Sequence, residues 1–387
     1  MTTVLLHEQI PDGVVSLADH EAAARSRLDA NAWAYFSGGA ADEITLRANQ
    51  AAWQQHLLQP RVLRDLQGGH TRVSLLGRSL AHPIFLAPVA YQRLAHPDGE
   101  VATACAASAQ QAGMVLSTQA SVHLETVAQA VGSDPDRGPL WFQLYMTHDR
   151  GFTRELVQRA ERAGYEALVV TVDAPVNGAR DRERRARFCL PPGVSAVNLA
   201  GLAPAPVVTL APGQSALFDG LLRTAITWSD IEWLLAQTRL PMILKGVLHP
   251  DDALEAVQLG VAGLIVSNHG GRTLDTTPST AAVLPRIRQA LGGEVPLLVD
   301  GGIRRGTDVL KAMALGANAV LVGRPYVYGL ANAGASGVAH VLRLLRDELE
   351  IAMVLCGCAT LAQVSKDSLF FSSNTNNSHL QYDLSNP

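Results

Sequence analysis

The amino-acid sequence predicts an α/β fold in which eight parallel strands alternate with helices and close into a (β/α)8 TIM barrel. An N-terminal helical extension and a long loop after strand four complete it. Three observations carry this expectation. First, a unit recurs in which an amphipathic helix ends at glycine and an Ala- and Val-rich strand follows, as in ERAGYEALVVTVDAP, QLGVAGLIVSNHGG and ALGANAVLVGRP. Second, the strands are continuous apolar runs, the pattern of a strand buried on both faces of a parallel sheet. Third, there are eight such runs. An open doubly wound sheet is the alternative, and no strand–GxGxxG–helix unit supports it.

Taken in order, the runs are PIFLAPVA (83–90), MVLSTQA (114–120), LWFQLY (140–145), ALVVTVD (167–173), PMILKG (241–246), GLIVSNHG (263–270), PLLVDGG (296–302) and AVLVGRP (319–325). A helical segment follows nearly every one. Gly164, Gly260 and Gly316 stand where a helix C-cap needs positive φ. Residues 1–80 form an extension with two helix-like stretches, the first opened by a capping box at Ser16 and Asp19. Residues 81–366 form the barrel. The segment from 174 to 228 is far longer than a normal strand-to-helix loop. A mobile lid is expected over about 186–227, with a disordered insertion as the alternative. The polar tail, 367–387, is expected to be disordered or loosely docked.

Composition excludes several classes. The 387 residues are 48% hydrophobic and carry a net charge of −4, so no overall basic field invites nucleic acid or anionic lipid. The richest basic run, Arg180 to Arg187, is interrupted by acids and reads as a solvated face. Four cysteines are too few for a disulfide scaffold, and reduced thiols in a cytoplasmic protein are expected. No signal peptide or membrane-spanning run is evident. No metal site is expected.

In such barrels the chemistry lies at the C-terminal ends of the strands. Here those ends are polar: Ser117 and Gln119, Gln143 and Tyr145, Thr171 and Asp173, Lys245, then Ser267 with His269 and Arg272. Strands seven and eight end in DGGIRRG and GRP, where paired glycines and Arg304 or Arg324 suit a phosphate. A histidine oriented by a carboxylate is a candidate base. An arginine fork grips a carboxylate, and a fixed lysine stabilises a developing anion. Singly, each has a structural explanation: a hydrogen-bonding His, an Asp that caps a helix, a Tyr on the rim. Together they describe one ring.

The segments APVAYQRLAHPDGE, FQLY, TVDAP, ILKGV, SNHGGRTLD, DGGIRRGTDVLKAMALGA and GRP resemble, in order, those of the FMN-dependent α-hydroxy-acid oxidases and dehydrogenases. The resemblance runs from about Ser16 to Lys366. It implies FMN as cofactor and conversion of an (S)-2-hydroxy acid to its 2-keto acid, with O2 as acceptor. A quinone or cytochrome acceptor, or decarboxylation of the product, is the close alternative. A non-redox FMN isomerase and a silent flavin-binding protein are more distant ones. By the resemblance His269 is the base and Asp173 its partner. Arg272 and Arg180 bind the substrate carboxylate, and Tyr145 the substrate oxygen. Lys245 lies at the flavin N1–C2=O edge. Pro88, Val89, Ala90, Ser117, Gln143, Thr171 and Ser267 hold the ring and ribityl chain. Asp300, Gly302, Arg304, Gly323 and Arg324 hold ribityl and phosphate. A homotetramer or octamer is implied too. Two departures bear on the substrate. Aligned on Ser37 and Gly38, the usual substrate-binding Tyr position holds Ala34, and the position of a Trp in glycolate oxidase holds Gln119. Both remove bulk, so a larger or aromatic 2-hydroxy acid is expected.

Overall fold

The computed structural model describes residues 9–293 and 295–370. Eight parallel strands form a closed barrel: β1 (Ile84–Leu86), β2 (Gly113–Leu116), β3 (Leu140–Leu144), β4 (Leu168–Thr171), β5 (Met242–Val247), β6 (Gly263–Val266), β7 (Leu297–Val299) and β8 (Ala319–Val322). Neighbours in sequence are neighbours in space, and β8 closes on β1 with Val320 opposite Ile84. All but β5 are shorter than their apolar runs. Several polar run ends, among them Ser117, Tyr145, Asp173, His269 and Asp300, therefore lie beyond the strands, while Gln143, Thr171 and Lys245 stand among their last residues.

Alternation along the strands divides the core. One set of side chains, including Phe85, Val115, Trp141, Val169, Ile243 and Ile265, packs as a single buried cluster, as the packed interior of such a barrel requires. The rings of Phe85 and Trp141 lie 4.6 Å apart. Burying each such side chain contributes about 1.5–3 kcal/mol. The remaining strand side chains pack in the larger cluster shared with the helices. A hairpin, Val73–Leu75 with Arg78–Leu80, adds Leu75 and Leu80 to the inner cluster.

The extension holds three helices, not two: α1 (Leu17–Arg27), α2 (Ala30–Ser37) and α3 (Ile44–Gln55). The expected cap is present, Ser16 Oγ accepting from the Asp19 amide. The extra break comes from Asp29, whose carboxylate caps α2 by accepting from the Ala32 amide at 2.7 Å, while extended Leu28 ends α1. α3 is pinned over the strand ends. Its fully buried Trp53 donates Nε1–H to the Gly301 carbonyl at 2.8 Å. Asn49 and Asn268 exchange paired amide bonds, each 2.8 Å.

In the long segment after β4, Asp181–Ala186 is helical and Asn198 is fully buried, accepting from the Leu124 amide at 2.9 Å. At the start of the tail, Leu369–Phe370 pairs antiparallel with Leu57–Leu58. An apolar pair offered an exposed strand completes a ladder at little cost. The rest of the tail, 371–387, lies outside the described residues. Among the described residues no helix is long and apolar enough to cross a membrane. Also among them, no group of three or more His, Cys, Asp or Glu could hold a metal, and Cys105, Cys189, Cys356 and Cys358 are unbridged.

Candidate active site

β6 ends at Val266, and the next residues turn sharply. His269, Gly270 and Gly271 have φ of 57°, 65° and 73°. A side chain on the second would stand 2.8 Å from Arg324 Nη1, and on the third 2.6 Å from the Leu46 nitrogen. The Gly-Gly pair is thus a packing requirement, and it aims the histidine at the barrel mouth. His269 itself holds a left-handed conformation that costs about 1–2 kcal/mol, offset in part by Ser267 Oγ, which accepts its amide at 3.1 Å.

His269 Nδ1 lies 2.8 Å from Asp173 Oδ1. The carboxylate can only accept, so Nδ1 carries the proton and Nε2 presents its lone pair. Nε2 lies 3.4 Å from the Tyr145 hydroxyl. Burial lowers the His269 pKa below its ordinary value, and Asp173 opposes that shift. Burial works against the charge of Asp173, but His269 and Lys245 together hold its pKa below the usual range. Asp173 Oδ2 is buried without a hydrogen-bond partner. Gly246, at the end of β5, lets this carboxylate sit where it does: φ is +112°, and an added Cβ would stand 2.4 Å from Asp173 Cβ.

Lys245, also from β5, is almost fully buried. Its Nζ donates to Ser267 Oγ at 3.0 Å and lies 3.3 Å from Asp300 Oδ2. Burial disfavours its charge, yet Asp300 and Asp173 outweigh burial and raise its pKa. It is a fixed cation. Asp300 Oδ1 is buried and unpartnered.

Two arginines face the same cavity. Arg272 Nη1 donates to the Tyr35 and Gly38 carbonyls at 2.6 and 2.7 Å, and its guanidinium lies 5.1 Å from the Tyr35 ring centre. Its Nη2 donates to Glu183 Oε1 at 2.9 Å, and Arg180 Nη1 lies 3.6 Å from the same oxygen. Burial, then the neighbouring Arg180, lowers the Arg272 pKa. Arg180 Nε is buried without a partner, a donor still available to an anion.

On the other side runs a hydrogen-bonded row. Gln143 Nε2 donates to Thr171 Oγ1 at 3.1 Å, and its Oε1 accepts from Ser117 Oγ and the Thr118 amide at 3.3 and 3.1 Å. The Ala87-to-Ala90 segment after β1 lines the adjoining wall. At the far end stand Gly302, Arg304, Gly323 and Arg324. Arg324 also fastens the extension, donating to the Phe36, Gly38 and Gly270 carbonyls at 2.8–3.0 Å. Burial and then Arg272 push its pKa down to about 10.

These groups enclose a cavity of ≈ 390 Å³. Three expected residues do not line it. Ala34 does not line it; Tyr35 does. On a helix one residue turns a side chain by about 100°, so Tyr35 and not Ala34 faces the cavity, its ring stacked on Phe188 at 4.8 Å. Ser267, expected against the flavin, is fully buried behind the wall and bonds Lys245 and His269 instead. Asp173 also lies behind the wall, as a partner of His269 should. Glu183 and the lining residues Met146, Ala174 and Asn177 were not anticipated. Glu183 was hidden inside a basic run, and the others carry no sequence signal.

The donor set fits FMN: a buried cation and hydrogen-bonding row for a flavin ring, the unpartnered Asp300 oxygen for a hydroxyl donor, and glycine backbone with arginines for phosphate. Comparison with known proteins agrees. Residues 24–370 match the model of the FMN-dependent dehydrogenase family. The chain is 49% identical to an L-lactate oxidase of Alicycliphilus denitrificans, covering 94% of this chain and 98% of that one. It is 42% identical to glycolate oxidase 1 of Zea mays, over 93% and 97%. It superposes on a crystal structure of mandelate oxidase with a TM-score of 0.82, at 43% identity over 92% and 98%. The chain belongs to the FMN-dependent dehydrogenase family and is an FMN-dependent enzyme of 2-hydroxy-acid oxidation.

Proposed function

We propose that the protein oxidises an (S)-2-hydroxy acid to the 2-keto acid and passes the electrons to O2, which leaves as hydrogen peroxide. The observation that carries the reading is the His269–Asp173 pair, 2.8 Å apart, beside buried Lys245, which donates to the same Ser267 hydroxyl that accepts the His269 amide. Arg180 Nε and the Arg272 guanidinium hold the substrate carboxylate, with Tyr35 beside them. That grip presents the hydroxyl-bearing carbon to His269 Nε2, which takes the substrate proton. Asp173 keeps Nδ1 protonated and stabilises the imidazolium. Tyr145 donates to the substrate oxygen. Ser117, Gln143 and Thr171 would hold the ring, Lys245 would stabilise negative charge on it, and Arg304, Gly302 and Gly323 would hold the phosphate. Bound FMN supplies the acceptor for the two electrons. The segment 186–227 serves as a cover that excludes water.

With Tyr35 in the cavity, only Gln119 removes bulk, and a short aliphatic acid of lactate size becomes the favoured substrate. The L-lactate oxidase relatives support this. An aromatic acid is the second reading, favoured by Gln119 and by likeness to mandelate oxidase. The test is anaerobic mixing of the FMN-loaded protein with lactate, glycolate, mandelate and 2-hydroxyoctanoate while the flavin spectrum is followed. Bleaching fastest with lactate is expected, and fast recovery of the yellow colour in air marks an oxidase. If mandelate bleaches it faster, the aromatic reading holds. If none bleaches it, the oxidation chemistry fails and an isomerase or silent flavin protein takes its place. Slow recovery in air points to a quinone or cytochrome acceptor.

A further inference from the structure

The roles given so far leave part of the cavity wall unassigned. Arg180, Arg272 and Tyr35 take the substrate carboxylate, and His269 and Tyr145 its reacting oxygen. What remains for the substrate side chain is an arc past the ends of β2, β3 and β4, which are neighbours in the barrel. Gln119, Met146, Ala174 and Asn177 stand on it. Met146 and Ala174 are apolar. Gln119 and Asn177 each bring a primary amide, with two N–H donors and an acceptor oxygen.

Both backbones are fixed, and both amides are free. The Gln119 N–H donates to Ser117 Oγ at 3.1 Å, and its carbonyl accepts from the Tyr91 amide at 3.2 Å. Asn177 precedes Gly178, where an added Cβ would stand 2.1 Å from the Thr273 carbonyl oxygen and 2.5 Å from that of Arg272. Asn177 is thereby packed beside the loop that carries Arg272. Among the described residues neither side-chain amide has a hydrogen-bond partner in the chain. Gln119 is half-buried and Asn177 exposed, so water serves both until a substrate enters. A bare alkyl side chain displaces that water and returns nothing, and a polar group left unpaired costs roughly 1–3 kcal/mol. A hydroxyl, donor and acceptor at once, replaces the water it displaces.

We infer that the substrate carries a neutral hydroxyl on its side chain, bound by Gln119 and Asn177. The class is a 2,3- or 2,4-dihydroxy acid. This rests on the oxidation proposed above and narrows its substrate: among acids of about lactate size, the one with a terminal hydroxyl is preferred. The arc itself holds no charged side chain, so a second carboxylate would lie there without a counter-ion of its own.

The test measures kcat/KM of the FMN-loaded protein on matched pairs that differ by one hydroxyl. The pairs are (S)-lactate with (S)-2,3-dihydroxypropanoate, and (S)-2-hydroxybutanoate with (S)-2,4-dihydroxybutanoate. A preference of about tenfold for the dihydroxy acid is expected in at least one pair, the worth of one hydrogen bond. Gln119→Leu and Asn177→Leu keep bulk and remove the amides, and each should bring that ratio toward one. The ratio is internal to each variant, so loss of folded protein or of bound flavin cancels from it. No preference in the wild-type protein overturns the inference, and so does a preference that both substitutions leave untouched. In either case oxidation of lactate leaves the proposed function standing. If none of the four acids is oxidised while FMN is bound, the oxidation reading fails and takes this inference with it.

Discussion

Replacing Asp173 by Asn tests the base directly. The change keeps size and removes one charge from a carboxylate 2.8 Å from His269 Nδ1. Two effects follow. The amide can turn its NH2 toward Nδ1, which moves the imidazole proton to Nε2 and blocks the lone pair the substrate needs. The imidazolium formed as the proton arrives also loses its counter-charge. Charge centres ~4 Å apart at an effective dielectric of about 20 interact by roughly 4 kcal/mol. That energy corresponds to about 10³ in rate, inside the range of about 10²–10⁴ for general base catalysis. The assay is the anaerobic rate of flavin reduction at saturating substrate in a stopped-flow spectrometer, with FMN content checked first. The pH profile gives a second readout. His269 is already below its ordinary pKa because burial outweighs Asp173; without the carboxylate it falls further. The acid limb of the profile should therefore move to lower pH while the plateau drops. A loss of less than about tenfold, with FMN fully bound, would mean that Asp173 only braces the loop and that the proton goes elsewhere.

Other expectations are independent of that variant. Gly246→Ala places a methyl 2.4 Å from Asp173 Cβ at a φ of +112°; displacement of the carboxylate by a fraction of an ångström should cost about 10² in flavin reduction, and an unchanged rate would show that the pair tolerates movement. Gln119→Trp should lower kcat/KM for mandelate relative to lactate by about tenfold or more, read from initial rates; an unchanged ratio would place the substrate side chain on another wall. Stability should fall in mild acid. His20 and His82 have folded pKa values lowered to about 4, by burial first, against about 6.5 unfolded. The unfolded chain binds more protons between those values, so stability is full above about pH 6.5 and is lost as pH falls toward 4, by about 3 kcal/mol for His82 and less for His20, whose shift also depends on its neighbour His340. Urea midpoints at pH 7.5 and 4.5 check this, and equal midpoints would contradict it.

The barrel was legible because strands buried on both faces cannot hide their composition, and because the polar ends of those runs had no core role to explain them. Residues whose work depends on helix register were less legible. Ala34 and Tyr35 differ by one position, and only the α2 backbone, capped by Asp29, decides which of them faces the cavity. A layer of depth was also invisible: Ser267 and Tyr145 look equivalent in sequence, yet one bonds Lys245 from behind the wall and the other reaches His269. Glu183 shows the limit most clearly. In the run from Arg180 to Arg187 it reads as one of the acids that break up a solvated basic face. In three dimensions one of its oxygens lies 2.9 Å from Arg272 and 3.6 Å from Arg180, and the helix that carries it begins the long segment after β4. Two like charges buried side by side need such a carboxylate to be tolerable. The same atom that balances the two arginines therefore competes with the substrate for them, which ties the position of the Asp181–Ala186 helix to the grip on the incoming carboxylate.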